Sequence, residues 1–337
     1  MGVTAKKAEA RLAEMRRKTV LVVGDLMLDR FVYGSVTRIS PEAPVPVVRV
    51  TRETSMPGGA SNVACNLRAL GVGASVAGMV GKDGAGVELR WLLGQSGVDA
   101  ECALAFGGAR TIVKERVIAE RQQVVRVDFE AQSDWPKRQR DKFLALLALK
   151  LAQADGVIVE DYGKGAITQE VVDLVMEVSS RRGIPVGLDP KDGHELVFKG
   201  ITVATPNRKE AFAIAGAADP GPRDEPLADK PLLRVAQTLR EKWGAEHVAI
   251  TLGPQGMLLA GRGRPPRHVP TRAREVYDVS GAGDTVIAAC VGALAAGAPF
   301  GEAAELANYA AGVVVGKLGT ASCTPEELLQ HLKGGKQ

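Results

Sequence analysis

Thr19-Val20-Leu21-Val22-Val23-Gly24 is an unbroken apolar run, rich in β-branched residues, that ends in glycine and is followed at once by Asp25 and then by Asp29. A strand covered on one face alternates apolar and polar residues. A run without alternation predicts a strand covered on both faces, as in a parallel sheet. The pattern recurs at 74–80, 156–159, 185–188, 201–204 and 248–253, with helix-length segments at 60–70, 84–93 and 168–180. Strands alternating with helices predict an α/β fold: a doubly wound, mostly parallel sheet with helices on both faces and right-handed crossovers. Ligands of such sheets collect beyond the carboxyl ends of the strands. Polar and acidic residues gather there: Asp25 and Asp29, then Glu160-Asp161-Tyr162-Gly163-Lys164-Gly165, Asp189-Pro190-Lys191, and Asn207 with Glu210 on one helical i,i+3 face. Asp25 and Asp29 are each either a contact to sugar hydroxyls or a loop cap.

Two glycine turns run into helices. Asp278-Val279-Ser280-Gly281-Ala282-Gly283-Asp284 precedes the apolar run 285–297, which closes on Gly297. The free amides and positive dipole end of a helix N-terminus suit an anion, most often phosphate, and glycines let it approach the backbone. Asp284 is then either an N-terminal cap or a general base beside a bound phosphate. Pro57-Gly58-Gly59-Ala60-Ser61-Asn62 is the second turn, and Asn62 offers both a donor and an acceptor to a sugar.

Two segments depart from the rhythm. Residues 31–53 carry Pro41, Pro44 and Pro46 among short β-rich pieces, and 109–129 reads as two strands turning near Glu120. Proline in a strand marks an edge or an excursion, so these predict a small β layer outside the main sheet, a lid or a dimer surface. Lys114 and Arg116 share one face of their strand; they either meet an anionic substrate or solubilise the surface. Residues 217–230, rich in Pro, Asp and Gly, read as a surface insertion, and Met1–Lys18 as a short amphipathic helix. No long linker divides the chain, so one domain spanning 1–337 is expected.

Composition excludes several classes. A net charge of +4 spread over both signs argues against a nucleic-acid binder. Cys65, Cys102, Cys290 and Cys323 lack metal-ligand spacing, so reduced thiols in a cytoplasmic protein are expected. No apolar segment reaches membrane-spanning length, and the N-terminus has no apolar core of a secretion signal.

Gly58-Gly59 with Asn62, the N-x-x-E of Asn207 and Glu210, the T-x-G-x-x-G from Thr251 to Gly256, and the D-x-x-G-A-G-D from Asp278 to Asp284 stand in this order over nearly the whole chain. Together they resemble the ribokinase-like (PfkB) carbohydrate kinases. Within that family, residues 24–30, 38–46, 161–165 and 309–320 are most similar to the D-glycero-β-D-manno-heptose 7-phosphate 1-kinases of lipopolysaccharide inner-core biosynthesis. That kinase is often fused to a nucleotidyltransferase; this chain ends after the kinase, which implies a stand-alone form.

The resemblance implies ATP and Mg²⁺ as cofactors, a sugar phosphate as substrate, and a homodimer formed through the β lid. It makes Asp284 the base that deprotonates the C1 hydroxyl, with the amides of Gly281, Ala282 and Gly283 as the anion hole. Asn207 and Glu210 would organise Mg²⁺ through water and phosphates. Thr251, Gly253 and Gly256 would hold the nucleotide, with Asn308 and Gly312 near adenine and ribose. Asp25, Asp29, Gly58, Gly59 and Asn62 would contact the sugar, and Lys164 and Lys191, joined by Lys114 and Arg116, would meet its phosphate. Ser280 stands where the family usually has Thr; with Asp278 it would border a monovalent cation such as K⁺.

Overall fold

A computed structural model describes residues 3–120, 122–130, 135–317 and 319–334; Met1 and Gly2 of the expected N-terminal helix and Leu318 of the stretch 309–320 lie outside them. The main sheet has nine strands. Seven run parallel: β1 (Thr19–Gly24), β4 (Gly73–Gly81), β5 (Asp99–Phe106), β8 (Gly156–Glu160), β9 (Val186–Asp189), β10 (Val203–Ala204) and β11 (His247–Thr251). Two antiparallel strands, β12 (Met257–Gly261) and β13 (Arg264–Val269), extend one side to give the order β13-β12-β11-β10-β9-β8-β1-β4-β5.

β1 lies inside the sheet, between β8 and β4, and its side chains feed both faces by the period of two. Val20 and Val22 enter one core, with α1 (Ala5–Met15), α2 (Ala60–Ala69), α3 (Gly84–Gln95), α8 (Ala282–Ala295), α9 (Phe300–Val314) and α10 (Pro325–Gly334). Leu21 and Val23 enter the other, with α4 (Lys137–Leu151), α5 (Gln169–Arg182), α6 (Arg208–Ile214) and α7 (Lys230–Lys242). The unbroken apolar run is therefore a strand with no solvent face.

A second sheet, ordered β3-β2-β6-β7, is built from β2 (Leu26–Ile39), β3 (Pro46–Gly59), β6 (Ile112–Ala119) and β7 (Gln122–Phe129). It is larger than 31–53 and 109–129. β2 starts two residues after β1, so Asp29 lies within a strand. Gly58 and Gly59 are the last residues of β3 rather than a turn, and the positive φ of Gly59, 53°, swings the chain directly into α2. Antiparallel pairing sets Asp29 opposite Met56, and parallel pairing sets it beside Lys114.

The insertion at 217–230 is tied down by Arg208. Its guanidinium holds Asp219, the carbonyl of Gly221 and the fully buried Asp229, which caps α7. Among the described residues no helix is long and apolar enough to cross a membrane.

α8 fixes the site. Every residue from Asp284 to Ala293 is buried, so the helix shows no polar stripe. It lies so close to the sheet that a Cβ on Gly187 of β9 would stand 2.4 Å from Val291 Cγ2. Gly187→Val should push α8 outward at a cost of about 1–3 kcal/mol, read as a lowered urea midpoint with an unchanged slope. A wild-type midpoint would show that this contact is slack.

Candidate active site

α8 meets the open end of the sheet with its N-terminus. Gly281, at φ +77°, is its N-cap. Helix geometry leaves the first amides without intrahelical acceptors, and among the described residues those of Gly281, Gly283 and Asp284 have none. Ala282 differs from expectation: its N–H donates to Val279 O at 3.2 Å, closing the turn, so its amide is not part of an anion hole. Asp278 shapes the same turn. Its carboxylate accepts from the amides of Ser280 (2.9 Å) and Gly319 (3.1 Å). Burial acts to raise its pKa, but these bonds hold it below the ordinary value.

Asp284 sits in the first turn of α8 and is buried. Asn62 Nδ2 donates to its Oδ2 at 2.6 Å, and the Tyr162 hydroxyl lies 3.4 Å from its Oδ1. A second polar link ties the helices together one position along, where Thr285 Oγ1 donates to Asn66 Oδ1 at 2.9 Å. α2 is thus keyed to α8 by two buried asparagines, and Asn62 serves Asp284 directly. Burial pushes the Asp284 carboxyl up to about 6; the Asn62 and Tyr162 hydrogen bonds and Lys114 pull the other way, and the charge of Asp29 adds to the rise. Asp284 does not cap its helix: no side-chain cap bond is present.

Two acids that sequence reading left without a role stand next to it. Glu160, Asp189 and Asp284 bring one carboxylate oxygen each to within 4.8 Å of one another. Burial raises the carboxyls of Glu160 and Asp189 well above their ordinary range, and the negative charge of neighbouring carboxylates adds to the rise. The signal in the sequence was acidic residues closing neighbouring strands; only the register Glu160↔Asp189 makes them a pair.

On the other side of the α8 N-terminus lies a cavity of about 530 Å³. Asn207, Thr251, Gly253, Gly256, Ala282, Gly283, Asn308 and Gly312 all line it, with Val276, Val279, Val286 and Val315 as apolar wall. Its glycines do different things. Nothing lies within 4 Å of a Cβ built on Gly253 or Gly283, which leaves their backbone open to a ligand. Gly256, at φ +89°, would strike Val269 O at 2.1 Å, and Gly312 would meet the backbone of Arg272 at 2.9 Å; both permit close packing. Asn308 also works structurally, donating to Pro270 O at 2.7 Å. Asn207 and Glu210 form a reciprocal capping box at the start of α6, each side chain bonded to the other's amide.

On the second-sheet side, Arg116 Nη1 holds Asp29 Oδ1 at 2.7 Å, and a Cβ on Gly58 would stand 2.6 Å from Asp29 Oδ2. Lys114 Nζ lies 5.0 Å over the Tyr162 ring, with no carboxylate partner among the described residues. Lys164 is paired with Glu130 at 2.8 Å and Lys191 with Asp192 at 3.0 Å, so neither is a free cation in this conformation. Asp25 departs furthest from expectation. It accepts amides of Tyr162 and Lys164 on Oδ2 and of Ala166 on Oδ1, each at 3.0 Å, and is only 1% exposed. With both oxygens engaged it anchors a loop and has no access to a sugar. Sequence reading also passed over Arg110, which lines a small cavity of about 20 Å³ with Asp25 and Lys164, and His194, whose Nδ1 lies 2.7 Å from Asp161 Oδ2.

The raised Asp284 pKa has a stability consequence. Between the unfolded value of 3.8 and about 6 the folded chain binds more protons than the unfolded one, so this group's contribution to stability falls as pH rises through that window. Asp284→Asn should therefore gain on wild type by about 2–3 kcal/mol between pH 4 and pH 8 in chemical denaturation. A difference independent of pH would show an ordinary carboxyl.

Residues 17–327 match the sequence family described as pfkB family carbohydrate kinase. The chain is 42% identical over 322 residues to the bifunctional protein HldE of Paramagnetospirillum magneticum, covering 96% of this chain and 64% of that protein. It is 45% identical over 312 residues to HldE of Caulobacter vibrioides, covering 92% and 62%. The chain thus spans less than two thirds of the length of these relatives. Among solved structures, Escherichia coli phosphofructokinase-2 in complex with substrates and products superposes with a TM-score of 0.75 at 19% identity, covering 95% of this chain and all 100% of that one. Arabidopsis thaliana ribokinase complexed with ribose and ATP gives 0.69 at 20%, covering 94% and 99%. A parallel sheet that ends in a dry carboxylate beside open helix amides, in a chain matched over almost its full length, makes this protein a carbohydrate kinase of the pfkB family.

Proposed function

We propose that the chain transfers the γ-phosphoryl group of ATP to the C1 hydroxyl of D-glycero-β-D-manno-heptose 7-phosphate, giving the 1,7-bisphosphate. Similarity to the HldE proteins supports the sugar. The observation that carries the reaction is the position of Asp284, buried between an apolar cavity of nucleotide size and an acidic site flanked by cations.

In this reading ATP fills the cavity lined by Thr251, Gly253, Gly256, Asn308 and Gly312. The open amides of Gly281, Gly283 and Asp284 take up charge on the transferred phosphoryl group. Such preorganised donors, together with positioning, supply most of the catalysis in phosphoryl transfer. Asp284 accepts the proton of the C1 hydroxyl. Glu210 and Asn207 would hold Mg²⁺ through water and phosphates: Glu210 offers a half-buried carboxylate, the hard oxygen donor such an ion takes, next to the cavity. That ion would neutralise phosphate charge. Asp278, kept charged by its amide donors, and Ser280 would border a monovalent cation.

Asp29, Gly58, Gly59 and Asn62 line the sugar side. Lys114 and Arg116 serve the distant phosphate, and Lys164 and Lys191 join them by exchanging their carboxylate partners for it. The second sheet doubles as a lid and as a homodimer surface. Ile39, Val50 and Val125 are exposed on this sheet, and such apolar side chains support the reading of this face as the contact between copies.

The following outcomes test this. In a coupled ADP-release assay over sugars and sugar phosphates, heptose 7-phosphate should turn over far faster than unphosphorylated ribose or heptose; preference for a neutral sugar would overturn the assignment. Asp284→Asn should lose roughly 10²–10⁴-fold in kcat while binding ATP normally, and kcat/KM of wild type should fall on the acid side with a midpoint at about pH 6. Asn62→Ala, which removes a bond that favours the charged form, should move that limb to higher pH. Val125→Asp should convert a dimer to a monomer in light scattering, and an unchanged mass would exclude this face.

A further inference from the structure

We infer that Tyr162 is a positioning residue for Asp284, presented to it by a loop that the buried carboxylate of Asp25 holds in shape. The inference rests on the proposed reading of Asp284 as the base, and begins from what Asp25 does.

In Asp161-Tyr162-Gly163-Lys164-Gly165-Ala166 the amides of alternate residues, 162, 164 and 166, all point at one carboxylate. The glycines between them stand at φ +67° and +99°, which turns successive amides inward and is strained for any other residue. A second carboxylate grips the outside: Asp161 accepts from Gly163 N at 2.8 Å and contacts His194. The loop is therefore set before any ligand arrives.

Its product is the placement of one ring. Tyr162 carries its hydroxyl to 3.4 Å from Asp284 Oδ1 and offers its face to Lys114. The two oxygens of Asp284 are thereby distinguished. Oδ2 is committed to Asn62 by a short bond of 2.6 Å, whereas the Oδ1 contact is long and leaves a lone pair to an incoming hydroxyl. With Oδ2 pinned by the short bond and Oδ1 steadied by the longer contact, the carboxylate has a preferred orientation for its proton-accepting oxygen. The other groups facing Asp284 are Asp29 of β2, Lys114 of β6, Glu160 of β8 and Asp189 of β9. Only Asn62 and Tyr162 hydrogen-bond to it among the described residues.

Tyr162→Phe keeps the ring and its packing and removes the hydroxyl alone. Its kcat on the pH plateau should fall about tenfold, the scale of a hydrogen bond to a charged group, with KM for ATP unchanged. Its acid limb of kcat/KM should move to higher pH, as for Asn62→Ala. Asp25→Asn should move the limb in the same direction and add little when combined with Tyr162→Phe, because it acts through the same hydroxyl. Should Asp25→Asn not fold, Gly163→Ala loosens the loop from its strained φ without touching the carboxylate. Wild-type kcat and an unmoved limb in Tyr162→Phe would overturn the inference while a dead Asp284→Asn keeps the base. Full turnover by Asp284→Asn would overturn both, and additive effects of the two loop variants would remove Asp25 from the role.

Discussion

The burial of α8 is the constraint on which the rest of the structure depends. Ten consecutive buried residues leave that helix one place to go, between the sheet, α2 and α9. Glycine at 187 lets it come within touching distance of β9. Once it is there, its first turn must project past the carboxyl ends of the strands, and whatever residue follows the glycine turn enters a dry environment. An ionised carboxylate tolerates such a place only with donors aimed at it. Asn62, from a helix that α8 itself packs against, supplies one, and Tyr162 the other. Packing energy thus fixes the position of the group, and two neutral donors oppose the rise in its pKa that burial causes.

Around that point the chain places acids and cations with little slack. Asp29 is held by Arg116 and Asp25 by three amides, while Glu160 and Asp189 lie as neighbours with both carboxyls raised by burial. The surroundings therefore differ from acid to acid. The cations are arranged differently. Lys164 and Lys191 lie on exposed carboxylate partners, pairs of the kind that contribute little to stability and exchange readily. Contacts to the acids inside are thus rigid, and the ion pairs outside are loose.

Much of this was legible from residue patterns. β1 was readable to the residue because a strand covered on both faces has no polar position to blur its ends. The glycine turn before α8 was readable because helix starts carry local chemistry, and the residues expected around a nucleotide all line one cavity. β12, β13, β5, α4 and α7 were not read. β13 carries Pro265 and Pro266, which signal a loop unless the strand is known to lie at an edge, where a missing amide donor costs nothing. The roles of Ala282 and Asp25 were misjudged for one reason. Sequence shows that an amide or a carboxylate is present, while a hydrogen bond to Val279 O or to three loop amides exists only in the folded chain.

The sequence by itself determined the α/β class, the direction of the strands, the helix that starts around Asp284 and the family of chemistry. All of these depend on periodicity and on residues adjacent along the chain. The tertiary structure alone decided which carboxylates are free to act. Asp25, Asp29, Glu160, Asp189 and Asp284 all stand at or near strand and helix ends, yet only their partners from distant segments separate the amide-held anchor, the ion pair, the neighbouring raised carboxyls and the carboxylate with two neutral donors. Those partners lie up to 222 positions away, as Asn62 does from Asp284. Compensation of a buried charge is a property of three-dimensional neighbours, and no local pattern encodes it.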